Sequence, residues 1–266
     1  MNETTPHAGE ELLVASDGGV RILTLNRPSH ANALSPDLAR ALAEAVVAAD
    51  EDPEVRVIVL TASGARHFCA GADLKIKSSK DRAAKPVRNA MRGLRRSVFE
   101  IILESLKPTL AAIEGAAYGA GLELALCCDI RMASEAAHFC LPEAARGLSA
   151  QFATVLLPNI ISRPVACEML FTAEPMDSAR ALSVGLVNAV VPTGSALERT
   201  LAMARTIAGN APISLRRMKE TMSRAQNLPL PLALRLNEGL SPHGSADSKE
   251  GARAFVERRP PVFRGE

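Results

Sequence analysis

The sequence predicts an α/β fold followed by a helical C-terminal region, and two observations carry this prediction. Short apolar runs with strand character alternate with segments of helical periodicity in the first part of the chain. From Ser178 onward the pattern is mostly helical. Because repeated strand-plus-helix units are typical of folds in which helices pack against sheets, we expect an α/β core over residues 1–206 and a helical region over residues 207–266.

The first elements are predicted from turn and capping signals. Glu11–Ser16 and Val20–Asn26 flank the sequence DGG, which is typical of a tight hairpin. A helix is expected after Ser35, an N-cap residue, with Pro36 in its first turn. The compact apolar run Val55–Thr61 then has the length and composition of a buried strand.

The same order returns in the middle of the chain, where strand Thr109–Glu114, a helix from about Gly119 and strand Asp129–Ala133 are predicted. The remaining predicted helices, the first of them capped by Asp177, are Ser178–Val184, Ser195–Ala208, Ile213–Ala225, Leu230–Glu238 and Ala246–Glu257.

The composition excludes several broad classes of protein. The 266 residues are 47% hydrophobic and 23% charged, which argues against disorder. With 31 basic and 29 acidic residues the formal charge is +2, so the overall charge favours neither nucleic acid nor an anionic membrane as a partner. The absence of Trp, with one Tyr and seven Phe, also argues against a stacking platform for single strands.

Cysteine usage and the N-terminus indicate the cellular setting. The five cysteines are odd in number and show neither CxxC spacing nor a Cys/His ligand pattern, so we expect reduced thiols, a cytoplasmic location and no metal site. The N-terminal residues 1–10 lack an apolar secretory core. Segment 109–128 is long enough to span a membrane, but Glu114 and Glu123 make a buried strand, turn and helix the better interpretation.

Residues 75–96 form a basic stretch, with nine Lys or Arg side chains against one acid, Asp81. One interpretation is a solvated helix face or loop. The other is an electrostatic approach for a ligand that carries phosphate. Nucleic acid is not an expected partner.

Two turns made of small residues are the first candidates for chemistry. Residues 68–74 read FCAGADL, and residues 114–123 read EGAAYGAGLE. Small side chains let a ligand approach the main chain, and a turn into a helix leaves amide N–H groups free. Two such N–H groups converging on one point would form an oxyanion hole. The alternative is tight packing or ordinary turn chemistry.

Other motifs are weaker or absent. The GxG at 119–121 lacks the third glycine of a dinucleotide fingerprint, and Asp129 comes too early to serve as its acidic partner. No Walker A sequence occurs, and GLSAQ at 147–151 is not a nucleophile elbow. Glu123 opens an apolar helix and Glu143 follows Pro142, so the two are either ordinary helix-start charges or a catalytic pair.

Taken in order, several segments resemble the enoyl-CoA hydratase/isomerase (crotonase) superfamily from about residue 11 to the C-terminus. These segments are NRP at 26–28, NAL at 32–34, FCAGADL at 68–74, the run 107–131 and EGARAFVERR at 250–259. The resemblance implies a spiral of repeated ββα units with a helical C-terminal assembly region. It also implies an enoyl-CoA hydratase that adds water across the double bond of a 2-enoyl-CoA thioester.

The resemblance assigns the catalytic groups residue by residue. It places the two oxyanion-hole N–H donors at Ala72 and Ala120, where the family usually has Gly at the second position. It makes Glu123 and Glu143 the catalytic carboxylates, with Glu123 positioning or activating water and Glu143 transferring the proton. No cofactor is implied, because coenzyme A is part of the substrate.

The resemblance also assigns substrate contacts and assembly. The implied substrate- or CoA-binding residues are His30, Ala31, Ala70, Gly71, Asp73, Leu74, Lys75, Gly119 and Gly121. Arg258 or Arg259 could meet the CoA phosphates, as could the basic stretch. The implied partner is an acyl-CoA thioester, and the implied assembly is a homotrimer or a dimer of trimers with no membrane association.

One departure from the family keeps other functions open. Many hydratases carry a Gly-rich turn of the form GxxPGxGG after the second glutamate, whereas this chain reads GLSAQFAT at 147–154. The alternatives are an isomerase or another enolate-stabilising enzyme of the superfamily, and a CoA- or RNA-binding member without hydratase activity.

Overall fold

The computed structural model describes residues 11–73, 96–236 and 241–266. Its strands are β1 (Leu12–Asp17), β2 (Val20–Leu25), β3 (Val57–Ala62), β4 (His67–Cys69), β5 (Thr109–Ile113), β6 (Ala116–Tyr118), β7 (Ile130–Ser134), β8 (His138–Cys140), β9 (Met176–Asp177) and β10 (Ala189–Val191). Its α-helices are α1 (Pro36–Glu51), α2 (Val98–Glu104), α3 (Ala120–Leu126), α4 (Ala153–Ile160), α5 (Arg163–Thr172), α6 (Ser178–Ser183), α7 (Ala196–Ala208), α8 (Pro212–Ala225), α9 (Leu230–Ala233) and α10 (Ala246–Glu257).

The strands form two sheets, and from β3 to β8 consecutive strands of the chain alternate between them. The larger sheet has the order β1-β2-β3-β5-β7-β10, and the smaller has the order β4-β6-β8-β9. The pairs β3/β4, β5/β6 and β7/β8 each place their first strand in the larger sheet and their second in the smaller. Apart from β1/β2 and β8/β9, the pairings are parallel. This confirms the predicted spiral of repeated ββα units.

The larger sheet is buried on both faces, which is the usual condition of parallel strands. All five residues of β5 are buried, as are the first five of β3. Ala204 and Ala208 of α7 pack with Val57, Val59 and Leu110 on one face. The main core on the other face brings α1 and α3 together with both sheets. The apolar runs that the sequence predicts as strands therefore form a sheet enclosed by helices.

Most of the predicted elements are confirmed with small shifts of their ends. Ser35 Oγ accepts a hydrogen bond from Leu38 N at 2.9 Å, as expected of an N-cap, and Asp177 caps α6 through Arg180 N at 2.8 Å. Helices α2, α4 and α5 were not predicted, although Ser97 and Glu100 form a capping box at the start of α2. The predicted helix Leu230–Glu238 ends earlier, at Ala233, and the N–H groups of Arg235 and Leu236 bond three residues back. Residues 237 and 238 of that prediction lie outside the described residues.

The predicted division at residue 206 stays a prediction. It falls in the last turn of α7, a helix that packs on the larger sheet. Among the described residues, none of the helices is long and apolar enough to cross a bilayer.

Candidate active site

The first small-residue turn, residues 70–73, lies beside the segment 31–34. Leu34 N donates to Gly71 O at 2.8 Å, and Asp73 N donates to Leu34 O at 3.1 Å. Ala70 N donates to Ala31 O at 3.0 Å. These bonds form a short parallel bridge between Leu34 and Ala72. The bridge uses the carbonyl of Gly71 and the N–H of Asp73, on either side of Ala72, and leaves the Ala72 N–H pointing to the opposite side.

A buried ion pair fixes the same turn. Arg27 and Asp73 form a salt bridge at 3.1 Å with side chains only 10% and 9% exposed, and Arg27 Nη1 also donates to Ala33 O at 2.6 Å. Asn32 donates from Nδ2 to Ser63 O and His67 O at 2.9 and 2.8 Å. The NRP and NAL motifs therefore hold the first turn in place. Asp73 serves this structural pair although it also lines the cavity described below.

The second small-residue turn, residues 118–121, packs directly on the first. A Cβ atom at Gly121 would lie 2.1 Å from Cys69 O, and one at Gly71 would lie 2.9 Å from Tyr118 O. Gly71 and Gly119 also have positive φ values of 99° and 53°, which favour glycine. Glycine is thus required here both by close backbone approach and by conformation.

The two turns present unused amide groups to one cavity. Within the described part of the chain, neither Ala72 N nor Ala120 N donates a hydrogen bond. Ala120 is the first residue of α3, where an amide has no intrahelical acceptor. Both residues line a cavity of about 590 Å³, hereafter the main cavity, with Ala70, Gly71, Asp73 and Gly119.

Glu123 enters the main cavity from α3, where it is 6% exposed. Its Oε1 accepts hydrogen bonds from Phe152 N at 2.8 Å and Ala153 N at 3.0 Å. These amides lie at the start of α4, so the carboxylate caps that helix. Oε2 makes no hydrogen bond to any described residue. One oxygen is therefore fixed while the other is available to a ligand or water.

Glu143 lines the main cavity opposite the second turn. A Cβ atom at Gly119 would lie 2.7 Å from Glu143 Oε1, so glycine makes room for this carboxylate. Oε2 is buried with no hydrogen-bond partner among the described residues. Burial raises the pKa of Glu143 and the charge of Glu123 raises it further, while its own backbone amide and Arg146 oppose the shift. The neutral acid form of Glu143 is thus favoured more in this environment than it would be in water.

An aromatic pair also lines the main cavity. The rings of Phe99 in α2 and Phe152 are stacked, with centroids 4.6 Å apart and planes inclined by 28°. Arg146 lines the same cavity and forms no ion pair with any described residue. Phe99 and Arg146 were not found by sequence reasoning, because no local motif marks them and only tertiary packing brings them to the cavity.

The structure brings together most of the predicted site residues, but not all. Gly121 is buried against Cys69 and does not line the main cavity. His30 is exposed, and Ala31 lines a separate cavity of about 350 Å³ with Arg66 and His67. Leu74 and Lys75 lie outside the described residues.

Several other residues singled out in the sequence have structural contacts. Glu114 accepts hydrogen bonds from Gly194 N and Ala196 N at the start of α7. Arg259 pairs with Glu250 and Glu257 at 2.6 Å each, so its charge is already matched. Of the basic stretch 75–96 only Arg96 is described, and it pairs with Glu104 at 2.8 Å.

Two buried cysteines have raised thiol pKa values. Burial raises the pKa of Cys69 to about 11 and that of Cys128 to about 12. Both therefore stay protonated near neutral pH and are poor nucleophiles. Within the described ranges, no group of three or more His, Cys, Asp or Glu side chains is arranged to hold a metal ion.

Comparison with known proteins identifies the family. The family model described as enoyl-CoA hydratase/isomerase matches residues 15–266. The chain belongs to this family. An enoyl-CoA hydratase of Mycobacterium tuberculosis, EchA19, is 35% identical over 265 residues, which are 97% of this chain and 98% of the relative. The 2,3-dehydroadipyl-CoA hydratase of Escherichia coli is 35% identical over 258 residues, with 96% and 99% of the two chains covered.

Solved structures agree with the family assignment. The crystal structure of an enoyl-CoA hydratase from Bacillus anthracis superposes with a TM-score of 0.89 at 33% identity, covering 97% of this chain and 100% of that one. The predicted fold, family and enzyme class, a hydro-lyase of the enoyl-CoA hydratase family, are thereby confirmed.

The contact between the turns gives the first testable prediction. We expect Gly121→Ala to lower the free energy of unfolding by at least about 2 kcal/mol, because the added methyl group overlaps Cys69 O at 2.1 Å. Gly209→Ala is the matched control, since a Cβ there would lie 3.5 Å from Thr206 O, an ordinary contact. Urea unfolding measures both variants, and equal stabilities would contradict the requirement for close packing.

Proposed function

We propose that the chain is an enoyl-CoA hydratase that adds water across the C2–C3 double bond of a 2-enoyl-CoA thioester. The observation that carries this proposal is the meeting of two unpaired amides and two carboxylates around one cavity. The amides of Ala72 and Ala120 supply electrostatic stabilisation, and Glu123 and Glu143 supply proton transfer. The names of the relatives support the same reaction class.

In the proposed complex, Ala72 N and Ala120 N donate to the thioester oxygen. When a nucleophile attacks C3, the electrons of the double bond move toward the carbonyl and the oxygen becomes an enolate. Preorganised donors stabilise this developing charge, and losing one typically costs about 10²–10³ in rate. Ala120 in place of the usual Gly keeps the donor, because the N–H belongs to the main chain.

The two glutamates have different environments and therefore different proposed roles. Glu123 Oε1 is held by two amides, so Oε2 is positioned to orient the attacking water and take its proton. Burial raises the pKa of Glu143, and in the proposed scheme this residue gives its proton to C2. The water oxygen bonds to C3, the enolate collapses to the thioester, and proton exchange between the carboxyl groups restores the starting state. No separate cofactor or metal takes part in this scheme.

The loop 147–154, which differs from the family's Gly-rich turn, forms the acyl end of the proposed site. Phe152 follows Gln151 in the sequence that replaces the Gly-rich turn, and its N–H is bonded to Glu123 Oε1. Its ring, stacked on Phe99, lines the main cavity together with Glu123. In the proposed complex, carbon atoms beyond C3 extend toward this aromatic pair. We infer that the pair shortens the acyl pocket and selects short 2-enoyl groups.

The proposed assembly is a homotrimer or a dimer of trimers. Its support is a set of large apolar side chains that helices after α7 leave exposed: Met218, Met222, Leu230, Leu232, Leu234, Phe255 and Val256. Phe255 and Val256 are 85% and 80% exposed, and neighbouring apolar groups of this size usually mark a protein interface. The proposed location is the cytoplasm, supported by five free cysteines.

The first test of the reaction uses the carboxylates. We expect Glu123→Gln and Glu143→Gln each to lower kcat by about 10²–10⁴, because proton transfer is lost, while affinity for an acyl-CoA product analogue stays unchanged. Loss of the enoyl-thioester absorbance of crotonyl-CoA measures the rate. Glu44→Gln, on the exposed face of α1, is the control.

Two outcomes would decide against parts of the proposal. Near-normal turnover in either Gln variant would remove that glutamate from the mechanism. If the unaltered protein left several 2-enoyl-CoA chain lengths unchanged, hydration would be wrong, and a shifted double bond in the product would show an isomerase instead.

The second test concerns pH. Arg146 lowers the pKa of Glu143, so Arg146→Gln should raise that pKa further. The neutral acid then persists to higher pH, and the pH above which hydration slows should move upward by less than about one unit, since the exposed guanidinium is screened. A pH–rate profile measures this, with exposed Arg163→Gln as the control. An upward shift of the pH below which hydration slows, with the upper limit unchanged, would show that Glu143 acts in its ionised form.

The third test concerns acyl length. Phe152→Ala keeps the amide that holds Glu123 but removes the ring, so we expect kcat/KM for 2-octenoyl-CoA relative to crotonyl-CoA to rise by about tenfold or more. Phe171→Ala, an exposed phenylalanine, is the matched control. An unchanged ratio would place the end of the acyl pocket elsewhere.

A further inference from the structure

A second cavity lies away from the proposed active site and is strongly basic. It has a volume of about 230 Å³ and lies between the start of β3, the residues before β5, the start of α8 and the C-terminal tail. Its lining includes four basic residues, Arg56, Lys107, Arg216 and Arg264, and one acid, Asp50. None of the described residues lines both this basic cavity and the main cavity.

The positive charges in the basic cavity are poorly matched. Arg56 donates to the carbonyls of Ala208 at 3.2 Å and Phe263 at 2.7 Å, which carry no full negative charge. The side chains of Arg216 and Arg264 form no hydrogen bond or ion pair with any part of the described chain. Arg216 Nε is moreover buried without an acceptor among the described residues. Two guanidinium groups of the lining, those of Arg216 and Arg264, therefore have no anionic partner in the described chain.

The single acid in the lining is already engaged. Asp50 Oδ1 accepts from Ser105 Oγ at 2.8 Å, and Oδ2 accepts from Leu106 N at 3.4 Å. Burial lowers the pKa of Lys107, with Arg21 and Arg216 lowering it further against the opposing effect of Asp50 and Asp52. Arg216 is therefore close enough to Lys107 to oppose its charge, although the effect of Asp50 and Asp52 is larger.

The start of α8 adds to the positive potential. Pro212 and Ile213 line the basic cavity, and this helix of 14 residues has no acid in its first turn. Leu215 N is the first amide of the helix to bond backward, to Ala211 O. Pro212 has no N–H, so the free amides before Leu215 are those of Ile213 and Ser214, and together with the helix dipole they favour an anion at this end.

We infer that the basic cavity binds an oxyanion of the phosphate type. The donors are the guanidinium groups of Arg216 and Arg264 and the free amides at the start of α8. Phosphate suits this set because it carries more than one negative charge and accepts several hydrogen bonds. Arg264 belongs to the C-terminal tail, so a bound anion would fasten the tail to α8.

The test measures binding and stability rather than catalysis, so its outcome is independent of the proposed hydratase activity. Inorganic phosphate is titrated into the full-length protein against sodium chloride of equal ionic strength, by calorimetry and by the thermal unfolding midpoint. We expect saturable binding and a rise in Tm specific to phosphate, because a ligand of the native state stabilises it. Arg216→Gln and Arg264→Gln should each weaken binding by about tenfold or more.

Arg199→Gln on α7 is the matched control, since it removes one exposed cation elsewhere and should bind phosphate normally. A parallel titration with AMP distinguishes the source of the anion: Arg216-dependent binding of AMP indicates a phosphomonoester, and its absence indicates the free ion. A phosphate response equal to that of chloride, or one unchanged in both the Arg216 and Arg264 variants, would overturn the inference.

Discussion

The carbonyl of Cys69 occupies the space that a side chain at position 121 would need, and this contact governs the geometry of the site. It brings the end of the smaller sheet's first strand against the start of α3. With Gly71 packed on Tyr118 O, two turns nearly fifty residues apart in the chain become neighbours. Their amides can face one ligand only because no side chain stands between the two main chains.

The second constraint is the capping of α4 by Glu123. A carboxylate that caps the start of a helix usually has a structural role, yet Glu123 also faces the main cavity. The two amides that hold it come from the segment where the family's Gly-rich turn is replaced. In this chain the loop thus holds the glutamate through main-chain donors, whatever its side chains.

Local signals predicted much of the fold. The DGG turn, the Ser35-Pro36 start and the apolar runs of β3 and β5 each act over a few residues, and the structure agrees with them. The resemblance assigned Glu123 and Glu143, which the fold does bring to one cavity. The stacking of Phe99 on Phe152 and the charges around Arg216 could not be predicted, because they depend on residues far apart in sequence.

Main-chain amides alone hold Glu123 at the start of α4. A change of side chain at these positions is therefore distinct from a change that would release the carboxylate. Every residue type except proline offers an N–H at positions 152 and 153, so mutation there can reshape the acyl pocket without releasing the carboxylate. In the proposed hydratase, single substitutions in this loop would alter the preference for the acyl group while the carboxylate of Glu123 stays in place.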